Sequence, residues 1–174
     1  HTELVGCFWE PWLNNIAWFP ETPMTIQSWS DVRSMAYFTL LRHAGRLTPL
    51  GENRLPELRQ RFEAFALEQT SKTAQQAYLA PVENDKRHFI WGSMAVCANQ
   101  GMVLLYAFRL TNDPKYLRQA MANLDYLLGR NATGYAFVTG FGSKSPMHPH
   151  HRPSETDGIT APVPGLLAGG PNPG

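Results

Sequence analysis

The stretch Ser93-Met94-Ala95-Val96-Cys97-Ala98-Asn99-Gln100-Gly101-Met102-Val103-Leu104-Leu105-Tyr106-Ala107-Phe108-Arg109-Leu110, followed by Thr111-Asn112-Asp113-Pro114, decides the fold class. Eighteen residues without Pro, rich in Ala, Leu and Met, predict a helix over 93–110, with Ser93 as its cap. The run is apolar nearly all round, which suits a helix inside a larger body. Thr111-Asn112-Asp113-Pro114 is a stop and a start together: Asp113 can accept the free N–H groups of a new helix, and Pro114 fits its first position. The next helix is predicted over 114–128. Tyr116, Leu117, Ala120, Met121, Leu124 and Leu127 face inward, and Gly129 ends it.

Two more helices are expected upstream. Ser28-Trp29-Ser30-Asp31 opens one over about 31–44, with Ser30 or Asp31 as cap and Val32, Met35, Ala36 and Phe38–Leu41 on its apolar face. Another is expected over about 53–70, with Pro56 in its first turn and Leu55, Leu58, Phe62, Phe65 and Ala66 as its buried stripe. Residues 71–91 form a polar connection. Helix, loop, helix, with no convincing strand, is an all-α pattern. Residues 1–27 hold Trp9, Trp12, Trp18 and Phe19 among Pro11, Pro20 and Pro23; a loop with one short helix is expected there, its aromatics lining a groove or packing in the core.

Length and composition narrow the function. The 174 residues suit one domain with a real core, and 43% hydrophobic with 17% charged residues is ordinary for a globular protein. Fifteen basic against fourteen acidic residues give a net charge of +1 with no basic cluster, which argues against a nucleic-acid or membrane-surface role. No apolar run is long enough to cross a bilayer. The chain starts with His1 and shows no signal sequence, so its N-terminus is expected to be processed or truncated. Cys7 and Cys97, far apart and without metal spacing, are expected as buried thiols.

Residues 129–174 are different in kind. They are crowded with Gly and Pro, which excludes a long helix or central strand. They also carry Tyr135, Phe137, Phe141, His148, His150, His151 and Arg152, too many aromatic and chemically able side chains for a solvated linker. Asp125-Tyr126-Leu127-Leu128-Gly129-Arg130-Asn131, Val138-Thr139-Gly140-Phe141-Gly142 and Pro149-His150-His151-Arg152 stand in order, followed by Pro164-Gly165-Leu166-Leu167 and Gly169-Gly170-Pro171-Asn172. With Trp91-Gly92-Ser93, these segments resemble glycoside hydrolase family 9, the inverting cellulases. The match covers roughly the last half of the chain; the first half agrees only in texture.

That resemblance implies part of an (α/α)6 barrel, a toroid of helical hairpins, with 129–174 as a substrate-binding loop. It implies cleavage of β-1,4-glucan, in cellulose or cello-oligosaccharides, and a secreted or extracellular location. His150 is the candidate catalytic residue and Arg152 its substrate-binding partner, holding sugar hydroxyls around the scissile bond. Arg offers donors in a rigid fork and His can donate and accept, while Pro149 and Pro153 restrict the backbone between them. Trp29, two residues before Asp31, is a candidate stacking platform, with Tyr135 and Phe141 weaker ones. His151 is a further candidate substrate-binding residue, and with His148 it is expected to orient the loop. Trp91 reads as structural, and Met94 stands where the family usually has Asn.

No cofactor is required for this chemistry. Calcium as a structural ion is a family analogy without a visible ligand set. His148, His150 and His151 form an incomplete metal-ligand pattern, so no metal is assigned. Asn131-Ala132-Thr133 fits a glycosylation sequon and equally the family pattern.

An inverting glycosidase needs two carboxyl groups, one activating water and one protonating the leaving oxygen. The family's Asp motif lies before the matched region and its Asn-Glu motif after it. Neither maps onto this chain, which is therefore expected to be part of a catalytic domain, inactive alone, with the remainder as its partner. Glu155 and Asp157, in the loop of His150, are a weak internal pair. Competing readings are a non-catalytic carbohydrate-binding fragment, an exo-acting enzyme on cellodextrins or amino-sugar oligomers, and a metal-binding helical protein.

Overall fold

The computed structural model describes residues 23–47, 49–82 and 88–172, and the described chain is helical with no strand. The aromatics Trp9, Trp12, Trp18 and Phe19, and Cys7, lie outside the described residues. The helices are α1 (Met35–Arg42), α2 (Pro49–Ala74), α3 (Ser93–Thr111), α4 (Pro114–Leu127) and the short α5 (Arg152–Thr156). Two compact units divide the chain, one up to Leu67 and one from Glu68.

In the first unit α1 starts later than the sequence suggests. Asp31 does not cap a helix. Its carboxylate accepts the Arg33 backbone N–H at 3.1 Å, the Arg33 guanidinium at 2.9 and 2.7 Å, and the Thr25 hydroxyl at 3.1 Å. Those bonds, led by the Arg33 side chain, hold the Asp31 carboxyl well below the usual carboxylate range. A side chain committed to a local turn offers the backbone an alternative to the helix, so 31–34 stays non-helical. α2 in turn starts earlier, at Pro49, and runs through Pro56 rather than from it. Glu52, in its first turn, reaches back to accept the N–H groups of Gly45 and Leu47 at 2.8 and 3.0 Å. Tyr37, Leu40 and Leu41 of α1 and Leu58, Phe62, Phe65 and Ala66 of α2 are buried. Phe38 meets Phe62 edge-on at 5.5 Å, and Arg61 donates to the Tyr37 hydroxyl at 3.3 Å.

The second unit is built on α3 and α4, which pack as a hairpin. Asp113 caps α4 by accepting the Lys115 N–H at 2.9 Å. α4 ends in a Schellman motif: Arg130 N–H donates to the Asp125 carbonyl at 2.8 Å, Gly129 N–H to Tyr126 at 3.4 Å, and Gly129 takes φ +124°. Between the helices lies a chain of buried amides. Asn123 donates to Gln100 Oε1 at 2.8 Å and to the Cys97 carbonyl at 3.1 Å, and accepts from Gln119 at 3.4 Å; Gln100 continues to Gln69 at 3.3 Å. The apolar core beside it gathers Val82, Met94, Cys97, Tyr126, Leu127 and Phe137.

Three expectations are corrected here. Ser93 does not cap α3; Gly92 precedes it in a left-handed conformation and the Ser93 hydroxyl points elsewhere. Met121 and Leu124 of α4 are exposed rather than inward, because Gln119, Ala120, Asn123 and Tyr126 occupy the buried face. The same holds for one side of α3, where Met102 and Leu105 are exposed, so that helix is not buried all round.

Cys97 is fully buried and unpaired, and burial pushes its thiol up to about 12. Since the thiolate is the reactive form, Cys97 should resist alkylation at pH 8 in the folded protein and react on denaturation, read by peptide mass mapping. Labelling of native protein would contradict the packing.

Candidate active-site loop

Residues 129–172 have little regular structure, yet their backbone is tied at three places. The first follows α4. The Asn131 amide donates to the Tyr126 and Tyr135 carbonyls, both at 2.8 Å, and its oxygen accepts the Thr133 N–H at 3.0 Å and hydroxyl at 2.6 Å. This buried side chain fixes the turn that presents Tyr135, which is exposed. Phe137 N–H then donates to the Leu127 carbonyl at 2.7 Å, and its ring enters the core.

The second tie joins 137–140 to 163–168. Val138 bridges to Leu167, Thr139 N–H donates to the Leu166 carbonyl at 2.9 Å, and Ala168 N–H to Phe137 at 2.8 Å. The buried Thr139 hydroxyl donates to the Val163 carbonyl at 2.6 Å and accepts the Leu166 N–H at 2.9 Å. Gly140, at φ +75°, lies so close to Pro164 that a Cβ would sit 2.7 Å from the proline Cβ; only glycine fits both the angle and the approach.

The third tie anchors the end of the loop on α3. Met94 N–H donates to the Gly169 carbonyl at 3.2 Å and the Ser93 hydroxyl to Pro171 at 3.2 Å. Two groups at the helix start are thus satisfied by the loop. A Cβ on Gly170, which has φ +87°, would overlap the Met94 side chain. Thr139→Val keeps the shape of the side chain and removes two buried hydrogen bonds. At about 1 kcal/mol each it should cost the full-length protein about 2 kcal/mol in denaturant unfolding.

On this braced frame sits the histidine segment. His151 N–H donates to the Pro149 carbonyl at 2.7 Å, a three-residue turn with His150 at its apex. The His150 and Arg152 side chains are exposed and make no hydrogen bond or ion pair among the described residues. His151 is half-buried, and its Nδ1 lies 2.9 Å from Ser154 Oγ, which also accepts the Val163 N–H at 3.2 Å. The loop therefore brings His150, His151 and Arg152 together at the start of α5. Glu155 lies on α5 itself, and the Asp157 carboxylate is taken by the Ile159 N–H at 2.8 Å. Among the described residues no three His, Cys, Asp or Glu side chains converge to hold a metal ion.

Trp29 belongs to the first unit and is 84% exposed, with its indole free of the described core. Trp91 is 70% exposed in this chain. Sequence reasoning missed Ser154 and Thr139 as braces. The only signal for Ser154 was its place just after a proline in the histidine segment.

The family model for glycosyl hydrolase family 9 matches residues 12–174. The chain belongs to glycoside hydrolase family 9. It is 41% identical over 151 residues to a xyloglucan-specific endo-beta-1,4-glucanase of Bacteroides ovatus, a match covering 86% of this chain and 26% of that protein. It is 38% identical over 152 residues to a cellodextrinase of Butyrivibrio fibrisolvens, again 86% of this chain and 26% of the relative. A solved family 9 structure from Bacteroides ovatus superposes with a TM-score of 0.83 at 37% identity, over 99% of this chain and 32% of that one. The chain thus spans about a quarter of the length of the curated family 9 relatives it matches, and it has the fold of part of a family 9 domain.

Proposed function

We propose that this family 9 chain is the substrate-binding portion of a hydrolase that cleaves β-1,4-glucan with inversion. What carries the reading is the pair His150 and Arg152, two exposed polar side chains without a partner among the described residues, on a loop whose backbone is hydrogen-bonded on both flanks. A backbone already braced before the substrate arrives needs no ordering of its own on binding. Arg152 presents a planar fork to vicinal hydroxyls, and His150, at the apex of its turn, can donate or accept. His151, tied to Ser154, orients the segment. Tyr135 and Trp29 offer aromatic faces that suit the apolar face of a pyranose.

The two carboxyl groups of an inverting mechanism belong, in this reading, to the rest of the protein. The names of the relatives point to a β-1,4-glucan main chain as substrate. An extracellular or periplasmic place of action is part of the proposal, because polymeric glucan is met outside the cell. The test is release of reducing sugar from a soluble cellulose derivative. The full-length protein should be active and the isolated 174 residues silent; hydrolysis by the isolated chain, lost with Glu155→Gln, would place the carboxylates here instead. Sugar binding without hydrolysis by the full-length protein would make it a carbohydrate-binding module.

A further inference from the structure

The hydrogen bond between His151 and Ser154 has only one direction that uses every group. A serine hydroxyl has one proton to donate and two lone pairs to accept with. Ser154 Oγ accepts the Val163 N–H at 3.2 Å and lies 2.9 Å from His151 Nδ1. If Nδ1 carried the ring proton, Oγ would accept twice, and its own O–H would have no acceptor among the described residues. If Nδ1 is bare, the hydroxyl donates to it and nothing is left over. A half-buried donor without a partner is the costlier choice. The partner of one ring nitrogen thus decides where the proton of a neutral imidazole sits, here on Nε2. We propose that Ser154 is a positioning residue for the sugar-binding pair: it holds His151 as the Nε2–H tautomer in one orientation, and through His151 it sets the aim of His150 and Arg152. The proposal rests on the β-glucan reading above and adds to it a residue that touches no substrate.

Three ties meet at His151. Its N–H donates to the Pro149 carbonyl at 2.7 Å, its carbonyl accepts the Glu155 N–H at 3.2 Å, and its ring is bound to Ser154. The residue stands just before α5 in an extended conformation, φ −135° and ψ 96°, and its side chain does not cap the helix. The ring therefore reaches forward to Ser154 instead of serving the first turn. Holding the N–H, the carbonyl and the ring together restrains rotation about the Cα of residue 151, and His150 and Arg152 are its direct neighbours. Their own side chains make no hydrogen bond or ion pair among the described residues, so their aim is inherited from this backbone.

Ser154 is itself anchored to the interior. Val163 gives its N–H to Ser154, and its carbonyl accepts the hydroxyl of fully buried Thr139 at 2.6 Å. A continuous run of hydrogen bonds therefore leads from Thr139 through Val163 and Ser154 to His151. Without the Ser154 hydroxyl the run stops at Val163, and the ring of His151 is no longer tied to the interior through it.

The experiment uses the full-length protein with Ser154→Ala, Ser154→Thr, His151→Ala and the double variant Ser154→Ala with His151→Ala. On a soluble cello-oligosaccharide kcat/KM should fall about tenfold in Ser154→Ala, since a misplacement of about 1 Å can cost about 10²-fold and a loosened segment costs less. Ser154→Thr keeps the hydroxyl and should restore most of the rate. The double variant should be no slower than His151→Ala, because Ser154 acts only through His151. The melting temperature should hold, as Val163 is exposed and water can take its N–H. Long-range proton–nitrogen NMR of the substrate-free protein, at a pH where the ring is neutral, should place the His151 proton on Nε2, and Ser154→Ala should let the other tautomer appear. The proposal is overturned by an unchanged kcat/KM in Ser154→Ala, by additive losses in the double variant, by a wild-type proton on Nδ1, or by a tautomer indifferent to Ser154→Ala. If the wild-type protein hydrolyses no β-1,4-glucan, that reading fails by itself. The tautomer, read without substrate, then still decides for or against Ser154.

Discussion

Replacing Arg152 by Ala in the full-length protein should lower kcat/KM on β-1,4-glucan by about 10²- to 10³-fold and leave thermal stability unchanged. The guanidinium has no hydrogen bond or ion pair among the described residues, so its removal breaks none there. What it would break is a pair of charge-assisted hydrogen bonds to sugar hydroxyls, worth about 1.5–3 kcal/mol each before substrate desolvation is deducted. A net loss of about 3–4 kcal/mol gives the stated range, at 1.4 kcal/mol per tenfold. Arg152→Lys retains the charge but not the fork, and should recover only a small part of the rate. His150→Ala should also fall in rate without unfolding. A variant that loses stability and keeps its rate would turn Arg152 into a structural residue and remove the main support for the binding role.

The second large effect is expected in the core. Asn123→Ala should destabilise the protein by about 3–5 kcal/mol in equilibrium unfolding. Asn123 is fully buried and sits in the middle of the amide chain, with Gln100 on one side and Gln119 on the other. Truncation removes the bonds to Gln100 Oε1 and the Cys97 carbonyl, and it leaves buried Gln100 Oε1 and the Gln119 amide without those partners. An unsatisfied buried polar group costs about 1–3 kcal/mol, and several groups are orphaned at once. Asn123→Leu should fare no better, since it fills the volume but satisfies none of the neighbours. A loss under about 1 kcal/mol would mean that water enters and replaces the side chain.

The parts of the fold legible in the sequence are those set by one or two neighbouring residues. Asp113-Pro114 marks the start of α4 because the cap and the fixed φ of proline act locally, and Gly129 marks its end because only glycine takes a left-handed turn without strain. The parts set by distant partners were not legible. α2 was expected to begin near residue 53, but Glu52 binds the preceding turn and the helix starts at Pro49. Met121 and Leu124 look like core by hydropathy; polar Gln119 and Asn123 take their place because each finds an amide partner on α3 or on α4 itself.

The histidine segment was visible as an unusual cluster of residue types, and its likeness to the family gave it a role. Its mechanics were not visible. Nothing local in His151 announces Ser154 as a partner, and nothing in Thr139 announces a hydroxyl bound to residues 24 and 27 places away. Likewise the helix at Arg152–Thr156 is too short and too rich in proline to leave a periodic signal.

The anchoring of the loop on α3 has a consequence for the order of biosynthesis. The α3–α4 hairpin closes over a short turn and can collapse as soon as it leaves the ribosome, whereas the bond from Ser93 to Pro171 spans 78 residues. At a translation rate of about 5–20 residues per second, several seconds separate the two events. During that interval His150 and Arg152 ride on a tether with only one end secured. Within this stretch the helical hairpin can thus close before the loop that carries His150 and Arg152 is secured at its far end.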